Sequence, residues 1–351
     1  MNGMITYFVR RLLLIPLTFL AITFMVYAVL RVVPGGPIEQ AQMQMRKAMM
    51  QEGGGAAAAG IAGEEAEMQI PADAMKELKK YYHLDKSIPV GYGYWLWGIL
   101  HLDFGQSYVY GEPVLKVIVS KFPISVYFGL IGYFASWIVC VPLGVTKAIK
   151  HKTGYDTWTS VLVFIGYAIP GFVACLMLMV FLGGGSYLNI LPLGGFRSAN
   201  WAQLGFFAKI WDQLKHTAIP VFGYLIGGFA TMTILMKNSL LENLGADYVR
   251  TAFAKGLSEK RVIFVHALRN SLIPITVGIG QAIGLLFAGS FLIEKTCNIP
   301  GMGLLGYNSL IQRDYPIVLG TMVFLVLIDL FGNIISDVVW ALVDPRIRFS
   351  K

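Results

Sequence analysis

The chain has 351 residues, 56% of them hydrophobic and only 14% charged, with a mean hydropathy of +0.63. That is too little charge to cover a soluble globule, so the composition excludes an ordinary water-soluble domain and points to a helical membrane protein. The net charge of +8 comes without a basic face interleaved with stacking aromatics, which argues against nucleic acid and for retention of Lys and Arg in loops at one membrane face.

In chain order, Arg10 and Arg11 precede an apolar run from Leu12 to Val33. The run exceeds a signal-peptide core and shows no small-residue cleavage site, so it reads as a retained first span. With about 20 apolar residues needed per crossing, six spans are expected, over 12–33, 124–146, 158–182, 217–236, 273–293 and 316–342. The expected fold class is therefore an all-α membrane protein, one domain over 1–351 with six transmembrane helices. In loops short enough for the positive-inside rule, the basic residues fall mainly on the side that carries Arg10, Lys147, Lys150, Lys152, Lys237, Arg250, Lys255, Arg346 and Arg348. Both termini and the loop 237–272 are expected on the cytoplasmic side, and the long insert 34–123 outside.

The insert contains "EGGGAAAAGIAGEEAE" (Glu52 to Glu67), which has little to bury and is expected to be mobile. A short helix is expected over Pro71 to Pro89, followed by Tyr92, Tyr94, Trp95 and Trp97 as interfacial aromatics. Small residues recur every four positions at Gly223, Gly227 and Thr231, and again at Gly280, Gly284 and Ala288, a pattern for close helix packing. Asp329 falls in mid-span, where a carboxylate needs a partner such as Asn333 or an aqueous path, and Asp337 reads as an interfacial anchor. Tyr133, Tyr167, Asn238 and Gln281 are further candidate path-lining positions.

Between the fourth and fifth spans stands "DYVRTAFAKGLSEKRVIFVHALRNSLIPI" (Asp247 to Ile275). Asp247 reads as an N-cap, and Tyr248, Val249, Ala252 and Phe253 share one helix face. Lys255 and Gly256 end that helix, and Ser258 and Glu259 open a second running through Arg269. The result is a helical pair with an exposed apolar stripe that needs a partner to cover it.

The three cysteines are scattered, and no histidine has a partner at metal-ligand spacing, so no disulfide or metal is assigned. No Ser, His and Asp set shares a nameable site, and there is no GxxxxGKS or GxxxxGKT loop to cradle a nucleotide phosphate. On the residues alone, three function classes are weighed: a membrane subunit driven by another polypeptide, a stand-alone secondary transporter or channel, and a membrane enzyme, for which no catalytic set can be assembled. The second would call for inverted repeats and charged midplane sites, of which only Asp329 is present.

The 247–275 segment resembles the coupling loop, or EAA loop, of membrane subunits of binding-protein-dependent ABC importers. Arg250, Thr251 and Ala252 stand at the Glu-Ala-Ala positions, with Gly256 after three more residues. "DYVRTA", "AKGLSE", "HLDFGQSY", "GYAIPGF", "NIPGMGLLGY", "RDYPIVLG" and "VDPRIRF" extend the likeness to the peptide branch over nearly the whole chain, and the long external insert, "FLGGGSY" (Phe181 to Tyr187) and "SAN" (Ser198 to Asn200) make it most similar to Yej-type permeases of microcin C and oligopeptide importers. Phe253 departs from that pattern, standing where the branch commonly has Arg.

The resemblance implies a type I importer permease fold in a bacterial inner membrane. It implies a second homologous permease subunit, nucleotide-binding ATPase subunits and an extracytoplasmic substrate-binding protein as partners. ATP and magnesium would belong to the ATPase subunits, with no cofactor in this chain. It implies docking of those subunits at Asp247, Tyr248, Val249, Arg250, Thr251, Ala252, Phe253, Lys255 and Gly256, with import of short peptides or peptide-like compounds by alternating access.

Overall fold

A computed structural model of the chain describes residues 2–33, 85–184, 187–277, 283 and 289–343. The Glu52 to Glu67 stretch, the expected 71–89 helix up to residue 84, Gly280, Gln281, Gly284, Ala288 and the residues after Val343 lie outside the described residues.

The elements are helical throughout, with only isolated β-bridges and no named strand among the described residues. They are α1 (Asn2–Val32), α2 (Ile88–Leu100), α3 (Val114–Ile149), α4 (Gly154–Ala168), α5 (Gly171–Leu182), α6 (Phe206–Leu244) and α7 (Asp247–Ala254). Next come α8, the helical run 259–271 whose middle Val262–Ala267 is π-helical, α9 (Ile273–Val277), α10 (Phe291–Thr296), α11 (Met302–Ile311) and α12 (Tyr315–Val343).

Among the described residues, four helices are long and apolar enough to cross a membrane: α1 from Val9, α3, α6, and α12 to Val339. The segment expected as a span over 158–182 is made of two helices, α4 and α5, which together are apolar enough to cross and are bent by 95°. Pro170 is the cause, because it has no amide to donate and forces its predecessor out of the helical region; Ile169 is accordingly extended, at φ −93° and ψ 116°. Most of the expected 273–293 span lies outside the described residues.

The chain divides into two compact units, one of residues 14–120 and 306–326 and the other of 1–13, 121–305 and 327–351. In the first, Tyr92 of α2 reaches α1, its hydroxyl 2.8 Å from Thr23 Oγ1, and its ring meets Phe24, Tyr27 and Trp95. Two of the aromatics expected at the bilayer interface, Tyr92 and Trp95, thus serve packing, while Tyr94 and Trp97 stay exposed. Buried Asp314 accepts hydrogen bonds from Ser107 Oγ and from the amides of Tyr108 and Val109, fixing the turn before α3.

In the second unit α3 and α6 run side by side. A Cβ on Gly132 would lie 2.8 Å from Tyr224 Cβ, and one on Gly144 would lie 2.6 Å from Met236 Cβ. Helix α5 crosses α6 at Gly171, where a Cβ would come within 2.4 Å of the Gly223 carbonyl oxygen, and a Cβ on Gly223 would meet Cys175 Sγ at 2.4 Å. The small-residue pattern in α6 therefore marks a true close crossing at Gly223, whereas Gly227 has nothing within 4 Å and Thr231 is exposed. Gly223→Val is expected to destabilise the protein by about 1–3 kcal/mol through overpacking. Gly227→Ala should be neutral or mildly stabilising. Melting temperatures of the two variants in detergent check the contrast.

Asp337 is more than an interfacial anchor: it pairs with Arg11 and accepts a 3.2 Å hydrogen bond from the Tyr7 hydroxyl, tying the start of α1 to the end of α12 within this unit. A carboxylate near an apolar span is tolerated when so paired.

Candidate functional site

Helix α7 is eight residues long and too short to be stable alone, so it holds its shape by packing. Val249 (0% exposed) and Ala252 (7%) face inward onto Val145 and Ala148 of α3, Met236 and Leu240 of α6, Val262 and Ala267 of α8, and Ile275 of α9. The expected stripe is thereby divided. Its inner half is covered by the chain's own helices, because the ends of α3 and α6 converge beneath α7. Its outer edge, Tyr248 (39%) and Phe253 (46%), remains open.

The outer face is held in a fixed orientation. The Tyr248 hydroxyl donates to Asn243 Oδ1 at 2.6 Å, and Thr251 Oγ1 donates to the Asp247 carbonyl at 2.9 Å. Arg250 and Asp247 approach to 3.5 Å in full solvent exposure, where such a pair adds little. The N-cap is Ala246 and not Asp247; Asp247 is the first helical residue and places its charge in the first turn, where the helix dipole favours it. Lys255 caps the other end, and Gly256 follows at φ +76° with its amide 2.9 Å from the Phe253 carbonyl oxygen. That left-handed turn brings Leu257 back onto the same apolar cluster and starts α8 at Ser258.

Among the described residues, the candidate path positions are spread over α3, α4, α6 and α12. Asn333 Nδ2 donates to Asp329 Oδ2 at 3.3 Å, one turn away on the exposed side of α12. Tyr133 is half-buried against Phe134 and Trp137 of its own helix, Tyr167 and Asn238 are exposed on α4 and α6, and Gln281 lies outside the described residues.

Three polar groups escaped the sequence reading. Ser198, Asp212 and His216 do come together: Asp212 accepts from Ser198 Oγ and, at 3.1 Å, from its amide, while His216 Nε2 lies 3.2 Å from Ser198 Oγ and Nδ1 lies 3.0 Å from the Gly195 carbonyl oxygen. The carboxylate sits on the serine and not behind the imidazole, so the trio pins the 195–198 turn to α6 and lacks the order of an activated nucleophile. Asp156 gathers two lysines at the start of α4.

The third group is Glu294 of α10, 1% exposed, which accepts from Ser125 Oγ at 2.8 Å and from the Leu304 amide at 2.7 Å at the start of α11. Burial pushes its carboxyl up to about 7 against those donors. The folded chain thus keeps a proton that the unfolded chain releases from about pH 4.5, and Glu294 costs stability as pH rises from there to about 7. Glu294→Gln should remove that loss, gaining at most about 3 kcal/mol on the wild type between pH 4.5 and 7.5. Paired melting curves across that range provide the check, and parallel curves would contradict it.

Residues 140–349 match the family of binding-protein-dependent transport system inner membrane components, and the chain belongs to that family. Its helical architecture is accordingly the type I importer permease fold, and it is a membrane component and not an ATPase. The chain is 37% identical over 359 residues to the inner membrane ABC transporter permease protein YejB of Escherichia coli O157:H7, covering 98% of this chain and 99% of that protein. It is 34% identical to the peptidoglycan transport system permease protein YejB of Agrobacterium fabrum (98% of each chain) and 31% identical to the dipeptide transport system permease protein DppB of Escherichia coli K12 (99% and 100%).

Proposed function

We propose that this chain is the membrane subunit of an ATP-driven importer that carries short peptides or peptide-like compounds across the bacterial inner membrane. The observation that carries the coupling is the divided face of α7: an inner half locked to four helices and an open edge of Tyr248 and Phe253. A helix so held can pass on a push without being deformed, and an open aromatic edge suits capture by a separate protein.

In this reading α7 lies on the cytoplasmic side with both termini, and nucleotide-binding subunits dock on Asp247 to Gly256. Their closure on ATP displaces α7 and, through the shared cluster, the ends of α3 and α6, which opens the path alternately to either side. A second permease subunit completes the path and an extracytoplasmic binding protein delivers the substrate. The peptide class is supported by the relatives, among them permeases of dipeptide and oligopeptide transport systems.

The test is uptake of a labelled oligopeptide into proteoliposomes containing this chain with the permease, ATPase and binding-protein products of neighbouring genes. Uptake that requires ATP, the binding protein and this chain supports the proposal. Uptake by this chain alone, indifferent to ATP, would replace it with a stand-alone transporter.

A further inference from the structure

The apolar cluster beneath α7 draws its buried and half-buried members from α3, α6, α8, α9 and the adjoining turns, and none of them comes from α4 or α5. α4 and α5 form the one bent pair among the described helices, and they meet that cluster only indirectly, through their packing on α6, where Gly171 lies against Gly223 and Gly166 against Ile226 and Phe229. At the same end of α3 and α6 stands an ionic group that reaches α4. Asp156, in the first turn of α4 and 6% exposed, takes Lys237 Nζ of α6 on both carboxylate oxygens at 2.8 Å. Lys147 Nζ of α3 approaches Oδ1 to 3.1 Å, and the Lys152 amide and His151 Nδ1 each lie 3.3 Å from Oδ2.

Lys147 is 1% exposed and held on several sides, donating also to the Asp156 carbonyl at 2.9 Å, Thr159 Oγ1 at 2.9 Å and Ser160 Oγ at 2.7 Å. Both lysines sit within the cluster's own turns: Lys147 lies between Val145 and Ala148, and Lys237 follows Met236 and precedes Leu240. An apolar contact holds its register through interlocking shape alone, because the hydrophobic effect has no direction. A buried carboxylate shared by two ammonium groups adds a directional tie, because separating them leaves an uncompensated charge out of water.

We propose that Asp156, with Lys237 and Lys147, is the positioning group that makes α4 follow the coupling helix, so that movement of α7 is delivered to the bent α4 and α5 pair. This rests on the coupling role proposed for α7 above. Lys237 is the element to perturb, since its side chain is 15% exposed and its removal leaves Lys147 on Asp156.

The experiment uses the assembled transporter in proteoliposomes and measures labelled peptide imported per ATP hydrolysed for wild type, Lys237→Met, Lys237→Gln and Lys237→Arg. The ratio is expected to fall about ten-fold in the Met and Gln variants. Assembled complex and hydrolysis rate should stay within about two-fold of wild type, and Arg, whose fork fits both carboxylate oxygens, should restore the ratio. An unchanged ratio in Met and Gln would overturn the proposal. So would parallel loss of complex, hydrolysis and import, which marks a merely structural pair. Should the wild-type chain purify without an ATPase, the coupling reading itself falls, and this inference with it.

Discussion

Replacing Phe253 by Asp is expected to abolish ATP-driven uptake while leaving the chain folded in the membrane. Phe253 is 46% exposed on α7 and is not among the residues packed in the cluster beneath it, so a carboxylate there costs the isolated chain little. In a closed interface the same carboxylate would lie buried and unpaired where an aromatic anchor is expected, a loss of about 2–4 kcal/mol, or roughly 30- to 1000-fold in affinity. Quantifying the ATPase that co-purifies with equal amounts of wild-type and Phe253→Asp chain measures this directly. Val249→Asp is the complementary case, because it puts a charge into the cluster and should lower the yield of folded chain before docking is ever tested.

The second large effect is expected at Gly256. Proline there is incompatible twice over: its ring fixes φ near −65° where the chain needs +76°, and it removes the amide that bonds the Phe253 carbonyl oxygen. The turn would open, Leu257 would leave the cluster, and α7 would no longer be registered on α8. Uptake should fall by about a hundred-fold or more, against a far smaller loss for Gly256→Ala, which only strains the left-handed turn by about 1–2 kcal/mol. Uptake assays on the two variants at matched membrane levels distinguish them, and equal losses would show that the backbone direction at Gly256 is not what matters.

Local rules in the sequence reached the 247–271 segment well. Gly256 as a left-handed stop, Ser258 before the next helix and the shared face of Val249 and Ala252 all follow from short-range chemistry. What those rules could not say is which part of the stripe faces inward. Residues 248, 249, 252 and 253 fall together on a helical wheel, and only the converging ends of α3 and α6 separate the buried pair from the open one. The kink at Pro170 was missed because a proline in an apolar run is compatible with a straight span when neighbours re-satisfy the freed carbonyl.

Partners distant in the chain were harder still. Asp156 and Lys237 are 81 positions apart, and Ser125 and Glu294 are 169 apart, so no spacing rule links them. Asp212 and His216, by contrast, are four apart on one helix, and that pair was the available signal for the group that also holds Ser198. A polar residue in an apolar span announces that it needs a partner, and Asp329 has one in Asn333 a turn away.

The most direct measurement is photo-crosslinking from α7 in intact cells that express the chain with its neighbouring genes. A photoreactive side chain is placed singly at position 253 and at position 249. A covalent adduct between position 253 and the ATPase subunit, with position 249 yielding only links within the chain, is the predicted result. If position 253 gives no adduct with an ATPase while uptake continues, the open edge of α7 is not the docking surface.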